Sequence, residues 1–253
     1  VADHSSTDAT VAALAPYLDR PCVRLLHTEA GGGAARNWNR VTEAATGEFV
    51  KLVCGDDVLR PGAIAAQLEA IVSTPTAVMV GGRRDILDAR GEILIAGRGL
   101  GDLVGTHQGR TAIAASIRAG TNLLGEPACV LMRRDALIET GGWDPRYAYM
   151  IDQASYSRVL LAGDFIGLDR VVAGFRVNTG QWSVALSREQ ARQAVEFHHR
   201  FAQEHPGVIS TSDLRTGDAK ARIMAVARRA VYVVHRRRLT LPTTPPTAPE
   251  PTP

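Results

Sequence analysis

The run "FVKLVC" (residues 49–54) ends one glycine before two adjacent carboxylates, Asp56 and Asp57, and a helix-compatible stretch restarts behind Pro61. Neighbouring carboxylates repel each other unless a cation lies with them. Magnesium and manganese prefer oxygen ligands and use one or two carboxylates together with a substrate's phosphates. The same dipeptide also suits a solvated turn ahead of a helix, so the choice falls to other residues. Asp3 lies in the opening "VADHSSTDAT", and the glycines of "GGGAARNWNR" would let backbone approach a phosphate while Arg36 supplies positive charge. That glycine turn fits neither G-x-G-x-x-G nor a Walker loop. Asp152 opens a helical stretch, as an N-cap carboxylate would, and Arg176, Gln181 and Trp182 belong to a late segment, "FRVNTGQWS". Trp182 offers a flat face to a sugar or a large side chain to a core. Cys22, Cys54 and Cys129 lie far apart without metal-ligand spacing and read as reduced residues with no chemical role.

The elements that must hold these residues alternate along the chain. Strand patterns fall at residues 23–27, 49–54, 76–81, 128–132 and 171–177, and helical patterns at 7–18, 34–45, 61–72, 111–119 and 153–162. Ser6 and Thr7 suit an N-cap, and Gly47 suits a helix stop. The strands are apolar without strict alternation, which predicts burial on both faces in a mostly parallel α/β sheet between helix layers. "DILDARGEILIAG" reads as a hairpin excursion. In such a sheet, ligands bind beyond the carboxyl ends of the strands, where Asp56 and Asp57 stand.

Charge is distributed unevenly. Between Arg215 and Arg238 there are eight Lys/Arg and one acid, a balance of +7, so the rest of the chain carries −4 of the total +3. Attraction to anionic surfaces is thereby confined to that end. Within it Ile223, Val226, Ala227, Ala230, Val231 and Val234 recur at helical spacing, with Arg222, Arg229 and Arg236 every seven residues beside them. Such a stripe usually packs on the body of a protein; the alternative is a helix lying on an anionic membrane face. No aromatic platform accompanies the charge, so nucleic acid is not expected as a partner. The Pro/Thr-rich end, residues 239–253, predicts a disordered tail. No apolar run approaches the length of a membrane span.

Taken in order, "VADHSSTD", "ARNWN" with "ATGEFVKLVCGDD", and "GGWDPRYAYMIDQASYSRVLLAGD" resemble the nucleotide-binding strand end, the segment leading into the D-x-D region, and the acceptor-side segment of the family 2 glycosyltransferases. The resemblance runs from Val1 to about Ser183. It implies a GT-A fold, Rossmann-like, and transfer of a sugar from a nucleoside-diphosphate donor to an acceptor hydroxyl with inversion. It also implies a metal (Mn or Mg) at Asp57 with Asp56 beside it, a general base at Asp152, and donor contacts from Asp3, Asp56, Arg36 and Arg176, with Trp182 a candidate sugar contact. Cys54 takes the first position of the D-x-D region, His4 replaces an acid, and Asn178 stands where many relatives carry His. Relatives begin with a further strand and helix before the segment matching Val1, so the chain reads as N-terminally truncated. The expected organisation is a transferase domain over 1–184, a basic helical extension over 185–238 and the tail over 239–253. The acceptor class implied is a lipid-linked or cell-surface polysaccharide glycan, handled in the cytoplasm at the inner membrane face. A catalytically incomplete sugar-nucleotide-binding fragment, or a peripheral interaction protein built around the basic helix, are the competing readings.

Overall fold

The computed structural model describes residues 1–240, apart from the side chains of Trp182 and Ser183. The expected tail therefore lies almost wholly outside the described residues. The chain runs β1 (Ala2–Asp3), α1 (Thr10–Leu14), β2 (Leu26–His27), α2 (Gly33–Glu43), β3 (Phe49–Val50), β4 (Val58–Leu59), α3 (Ala63–Val72) and β5 (Ala77–Leu87). It continues through β6 (Ile93–Arg98), β7 (Gly105–His107), α4 (Gly109–Ala119), β8 (Leu131–Arg133), α5 (Arg134–Glu139), α6 (Ile151–Val159) and β9 (Asp164–Arg176). Four helices follow, α7 (Trp182–Ala185), α8 (Gln190–Glu204), α9 (Thr211–Val234) and α10 (Arg236–Leu239).

The α/β architecture is as expected, but the sheet is mixed rather than mostly parallel. The larger sheet has the order β3-β8-β5-β9-β4, with β6 on β5 and β7 on β9, while β1 and β2 form a separate pair. Only β1/β2 and β5/β9 run parallel; β3/β8, β4/β9, β5/β6, β5/β8 and β7/β9 run antiparallel. Apolar runs report burial and not direction, which depends on how each connection returns. The hairpin excursion is present as β5 and β6, with Asp88 accepting from the backbone N–H groups of Arg90 and Glu92 at 2.9 and 3.0 Å. Two strands extend far beyond their apolar patterns. Both β5 and β9 continue through charged residues, because their long mutual pairing satisfies backbone groups whatever the side chains. The first helix starts later than expected, and Asp8 rather than Ser6 or Thr7 accepts from the Thr10 N–H, at 2.9 Å.

Trp143 anchors the core on the α2 side. Its indole N–H donates to Thr42 Oγ1 at 2.9 Å, its backbone N–H donates to Asn39 Oδ1 at 2.7 Å, and its ring meets Trp38 and Tyr156 edge-on. On the other side, α9 lies against α4 and α8. The expectation that the Ile223 stripe packs on the body is corrected. Ile223, Val226 and Val234 are 66%, 58% and 77% exposed, whereas Gly217, Asp218, Ala221 and Ala225 are buried. The reason is steric. A Cβ on Gly217 would lie 2.3 Å from the Ile117 carbonyl oxygen, and one on Gly120 would lie 2.4 Å from the Ala221 nitrogen. The face of smallest side chains allows the closest helix approach and wins over the more apolar face. Asp218 joins this face by accepting from His198 and His199 at 3.0 and 2.7 Å.

This contact predicts that Gly217→Ala destabilises the fold by about 1–3 kcal/mol despite its better helix propensity, since the added methyl forces α4 and α9 apart. Gly55→Ala, which meets nothing within 4 Å, should stay within about 0.5 kcal/mol of the parent. Urea-unfolding midpoints compare the two.

Candidate active site

A cavity of about 460 Å³ opens between the ends of the central strands, α6 and α9. Asp56, Asp57, Glu126 and Asp152 bring carboxyl groups to its wall, and Arg84, Arg98 and Arg228 bring guanidinium groups. Three of the sequence-derived candidates, Asp56, Asp57 and Asp152, therefore share one chamber.

The Asp56–Asp57 turn is closed by a hydrogen bond from the Asp57 N–H to the Cys54 carbonyl at 3.0 Å. Arg176 braces it from β9. Its backbone N–H donates to Asp57 Oδ1 at 3.1 Å, its Nε to the Asp56 carbonyl at 2.9 Å, and its Nη1 to the Ala89 carbonyl at 3.2 Å. The guanidinium bonds to carbonyls, and among the described residues neither carboxyl group forms an ion pair with a side-chain cation, although the Arg176 charge favours both carboxylates. Burial, then the Asp56 charge, pushes the Asp57 carboxyl up to about 8, and burial raises Asp56 as well. Ligand atoms of Cys54, Asp56 and Asp57 all lie within 4.8 Å of one another. The Cys54 thiol is pushed far up by burial and stays neutral.

Asp152 sits in the first turn of α6, but Met150 is the N-cap and makes no side-chain capping bond. The N-cap reading of Asp152 is therefore corrected. Its Oδ1 accepts from the Gln153 N–H at 2.7 Å and its Oδ2 from Asn122 Nδ2 at 2.8 Å. Burial, then the nearby Glu126 carboxylate, raises it to about 7. Asn122 is itself fixed, accepting at Oδ1 from the N–H groups of Leu124 and Gly125 at 3.0 and 3.1 Å. Glu126 pairs with Arg84, which also donates to the Asn122 carbonyl at 3.3 Å. Sequence reasoning missed Arg84, Arg98, Asn122, Glu126, Tyr149 and Arg228. The one available signal was the charged run Arg83–Arg84–Asp85 between apolar residues of one strand, where a buried charge demands a partner.

Asp3 and Arg36 are not on the cavity wall. Asp3 is buried, accepting weakly from the Ser6 N–H and lying 3.8 Å from His27 Nδ1. His4 Nε2 meets the Gly31 carbonyl at 2.9 Å, and Arg36 lies 3.7 Å from Glu29. This cluster and the chamber are joined by α2, whose Ala34 and Trp38 form part of the cavity wall. The Trp182 side chain falls outside the described residues.

The fold has counterparts in known proteins. The mannosyltransferase PcManGT from Pyrobaculum calidifontis, solved in complex with GDP-Man and Mn2+, superposes with a TM-score of 0.57 at 17% identity, over 92% of this chain and 65% of that one. TarS of S. aureus superposes with a TM-score of 0.55 at 17% identity, over 81% of this chain and 33% of that one. In sequence, the uncharacterized protein MT1568 of Mycobacterium tuberculosis is 30% identical over 169 residues, 64% of this chain and 51% of that protein. The chain thus spans about half the length of the curated relative it matches. Residues 1–141 match the family described as Glycosyl transferase family 2, more than half of the chain. With the GT-A architecture in place around a carboxylate-lined chamber, the chain belongs to glycosyl transferase family 2.

Proposed function

We propose that this chain transfers a sugar from a nucleoside-diphosphate donor to an acceptor hydroxyl with inversion, using Asp152 as general base. The observation that carries the reading is a half-buried carboxyl, raised to about 7 and oriented by Asn122, in the same cavity as the Asp56–Asp57 pair. The acceptor O–H gives its proton to an Asp152 oxygen as the acceptor oxygen bonds to the anomeric carbon. The bond from that carbon to the diphosphate breaks on the opposite side, and its electron pair leaves with the diphosphate. One displacement needs a base and a stabilised leaving group, and no covalent intermediate. A donor nucleotide near Asp3 and Arg36 is supported by the glycine turn beside them and by the continuity of α2 with the chamber.

Asp56 and Asp57 suit a divalent cation such as Mn²⁺ or Mg²⁺. The two carboxyl groups lie together and form no ion pair with a side-chain cation among the described residues; burial raises both, and the Asp56 charge raises Asp57 further, which a bound cation would relieve. Cys54, neutral and soft, does not suit a hard ion. Such an ion would supply positive charge to the leaving diphosphate. Arg176, on this reading, positions the turn through its three hydrogen bonds and so governs donor affinity indirectly. The division into a transferase domain over 1–184 and a helical extension over 185–238 is retained, with the extension completing the cavity wall.

Asp57→Asn is expected to weaken donor binding and abolish its Mn²⁺ dependence, whereas Asp152→Asn leaves donor binding intact and lowers kcat about 10²- to 10⁴-fold. Calorimetry with the nucleoside diphosphate, beside single-turnover transfer, separates them; equal loss of donor affinity in both would remove Asp152 from the base role. Absence of turnover in the parent chain would favour the incomplete, sugar-nucleotide-binding reading.

The pH dependence follows from the same group. Asp152 acts when deprotonated, so kcat should rise as pH passes through about 7 and then level. For folding the sign is opposite. A carboxyl raised from 3.8 to about 7 holds its proton better in the folded state, so its stabilisation is full below 3.8 and is lost as pH rises through about 7. Melting midpoints of Asp152→Asn should lack that part of the decline.

A second reading concerns location, and the exposed face of α9 favours it. Ile223, Val226, Val233 and Val234 form an apolar strip in solvent, and Arg222 and Arg229 border it. No helix among the described residues is long and apolar enough to cross a membrane. This face is proposed to rest on the anionic inner surface of the cell membrane, presenting the cavity to lipid-linked glycan acceptors or polysaccharide precursors. Each basic residue at such a surface contributes about 1 kcal/mol, while the Val and Ala side chains add little depth. Flotation should show binding to phosphatidylglycerol vesicles, release by salt, and loss in Arg222→Glu/Arg229→Glu. Equal binding to phosphatidylcholine, or indifference to salt, would sink the idea.

A further inference from the structure

Arg84 on β5 and Arg98 on β6 are direct partners across the antiparallel ladder. Like charges placed directly opposite each other across strands are destabilising. Glu126 forms an ion pair with only one of them, the buried Arg84, although its charge also reaches Arg98. A third guanidinium reaches the same cavity from α9: Arg228 lies over the Tyr149 ring at 5.6 Å, and its Nε is buried without a hydrogen-bond partner. Among the described residues, no carboxylate forms an ion pair with Arg98 or Arg228. Three arginines therefore surround one acid on this side of the chamber. The groups facing Arg98 are Arg84, Glu126, Arg228 and Tyr149, and after burial the two arginines are what hold its guanidinium below its ordinary value.

We propose that Arg98 and Arg228 form a phosphate-binding subsite, walled by Tyr149, that receives a phosphate group carried by the acceptor. Guanidinium groups match phosphate oxygens in geometry and charge, and an aromatic face beside them limits competing hydration. The phosphate chemistry could come from the donor diphosphate or from a phosphorylated acceptor, and the placement favours the acceptor. Glu126 neighbours both Asp57 and Arg98 in charge, and Asp152 borders it together with Arg84. Asp152, Arg98 and Arg228 line the same cavity, with Glu126 neighbouring the first two, so an acceptor hydroxyl at Asp152 and a phosphate at the arginines would share one chamber. That assignment to the acceptor rests on Asp152 serving as base; the existence of the subsite does not.

Calorimetry of the full chain with inorganic pyrophosphate, without metal, tests the subsite. Binding should weaken about tenfold or more in Arg98→Gln and again in Arg228→Gln, and Arg98→Lys should keep most of it. Because Arg98→Gln removes a repulsion, its melting midpoint should match or exceed that of the parent, which separates lost binding from lost folding. Pyrophosphate affinity that is absent, or equal in parent and variants, overturns the subsite. Nucleoside-diphosphate affinity with Mn²⁺, for whichever base binds best, should be unchanged in Arg98→Gln; a parallel fall would hand the subsite to the donor and overturn the acceptor assignment. Arginine-dependent pyrophosphate binding combined with unimpaired transfer by Asp152→Asn would refute the base and leave the subsite standing.

Discussion

The buried ion pair between Arg84 and Glu126 is the interaction on which the chamber depends. A guanidinium removed from water inside a sheet is tolerated only when paired and hydrogen-bonded, and loss of one partner from such a pair typically costs about 3–5 kcal/mol. Arg84 meets the requirement twice, through Glu126 and through the Asn122 carbonyl. The same two contacts place the residue 122–126 loop over the strand ends, and from there Asn122 holds Asp152. Gly99 belongs to this arrangement, since a Cβ there would lie 2.5 Å from Arg84 Nη1. The pair therefore does more than satisfy a charge in the core. It links β5, the loop, and the first turn of α6 into one rigid wall.

Asp56, Asp57 and Asp152 share a condition. Each is partly withdrawn from solvent, and none forms an ion pair with a side-chain cation among the described residues, so each is raised above the ordinary carboxylate range. Their differences come from neighbours. Asp57 feels Asp56 most strongly after burial, while Asp152 feels Glu126. Asp56 and Asp57 are crowded against each other and Asp152 is set apart, so three residues of one type stand in two different environments.

Helix α9 connects this chamber to the outside. Its smallest residues set its closest approach to α4, and that approach turns Met224, Arg228 and Tyr232 into the cavity and Ile223, Val226 and Val234 into solvent. Its far end is tied down through α10, which follows it. Arg238 donates to Asp88 Oδ2 at 2.9 Å, and the Thr179 N–H donates to the Leu239 carbonyl at 2.9 Å. A helix fixed at both ends presents one face to the cavity and the other to solvent.

Much of this molecule was legible before its structure. Alternating apolar runs and helical patterns imply an α/β layering because each element must bury one face. The ordered segments around Asp3 and Asp56–Asp57 lie within the family match, and Asp56–Asp57 meets Asp152 in one cavity. Local sequence could not supply strand direction, since hydrophobicity is indifferent to it, nor the orientation of α9, since an apolar stripe and a small-residue face compete and only the shape of α4 decides between them. Asn122, Glu126, Arg98 and Arg228 were equally hidden. Their chemistry comes from being brought together across long stretches of chain, where burial turns ordinary polar residues into partners, and only the tertiary structure sets which ones meet.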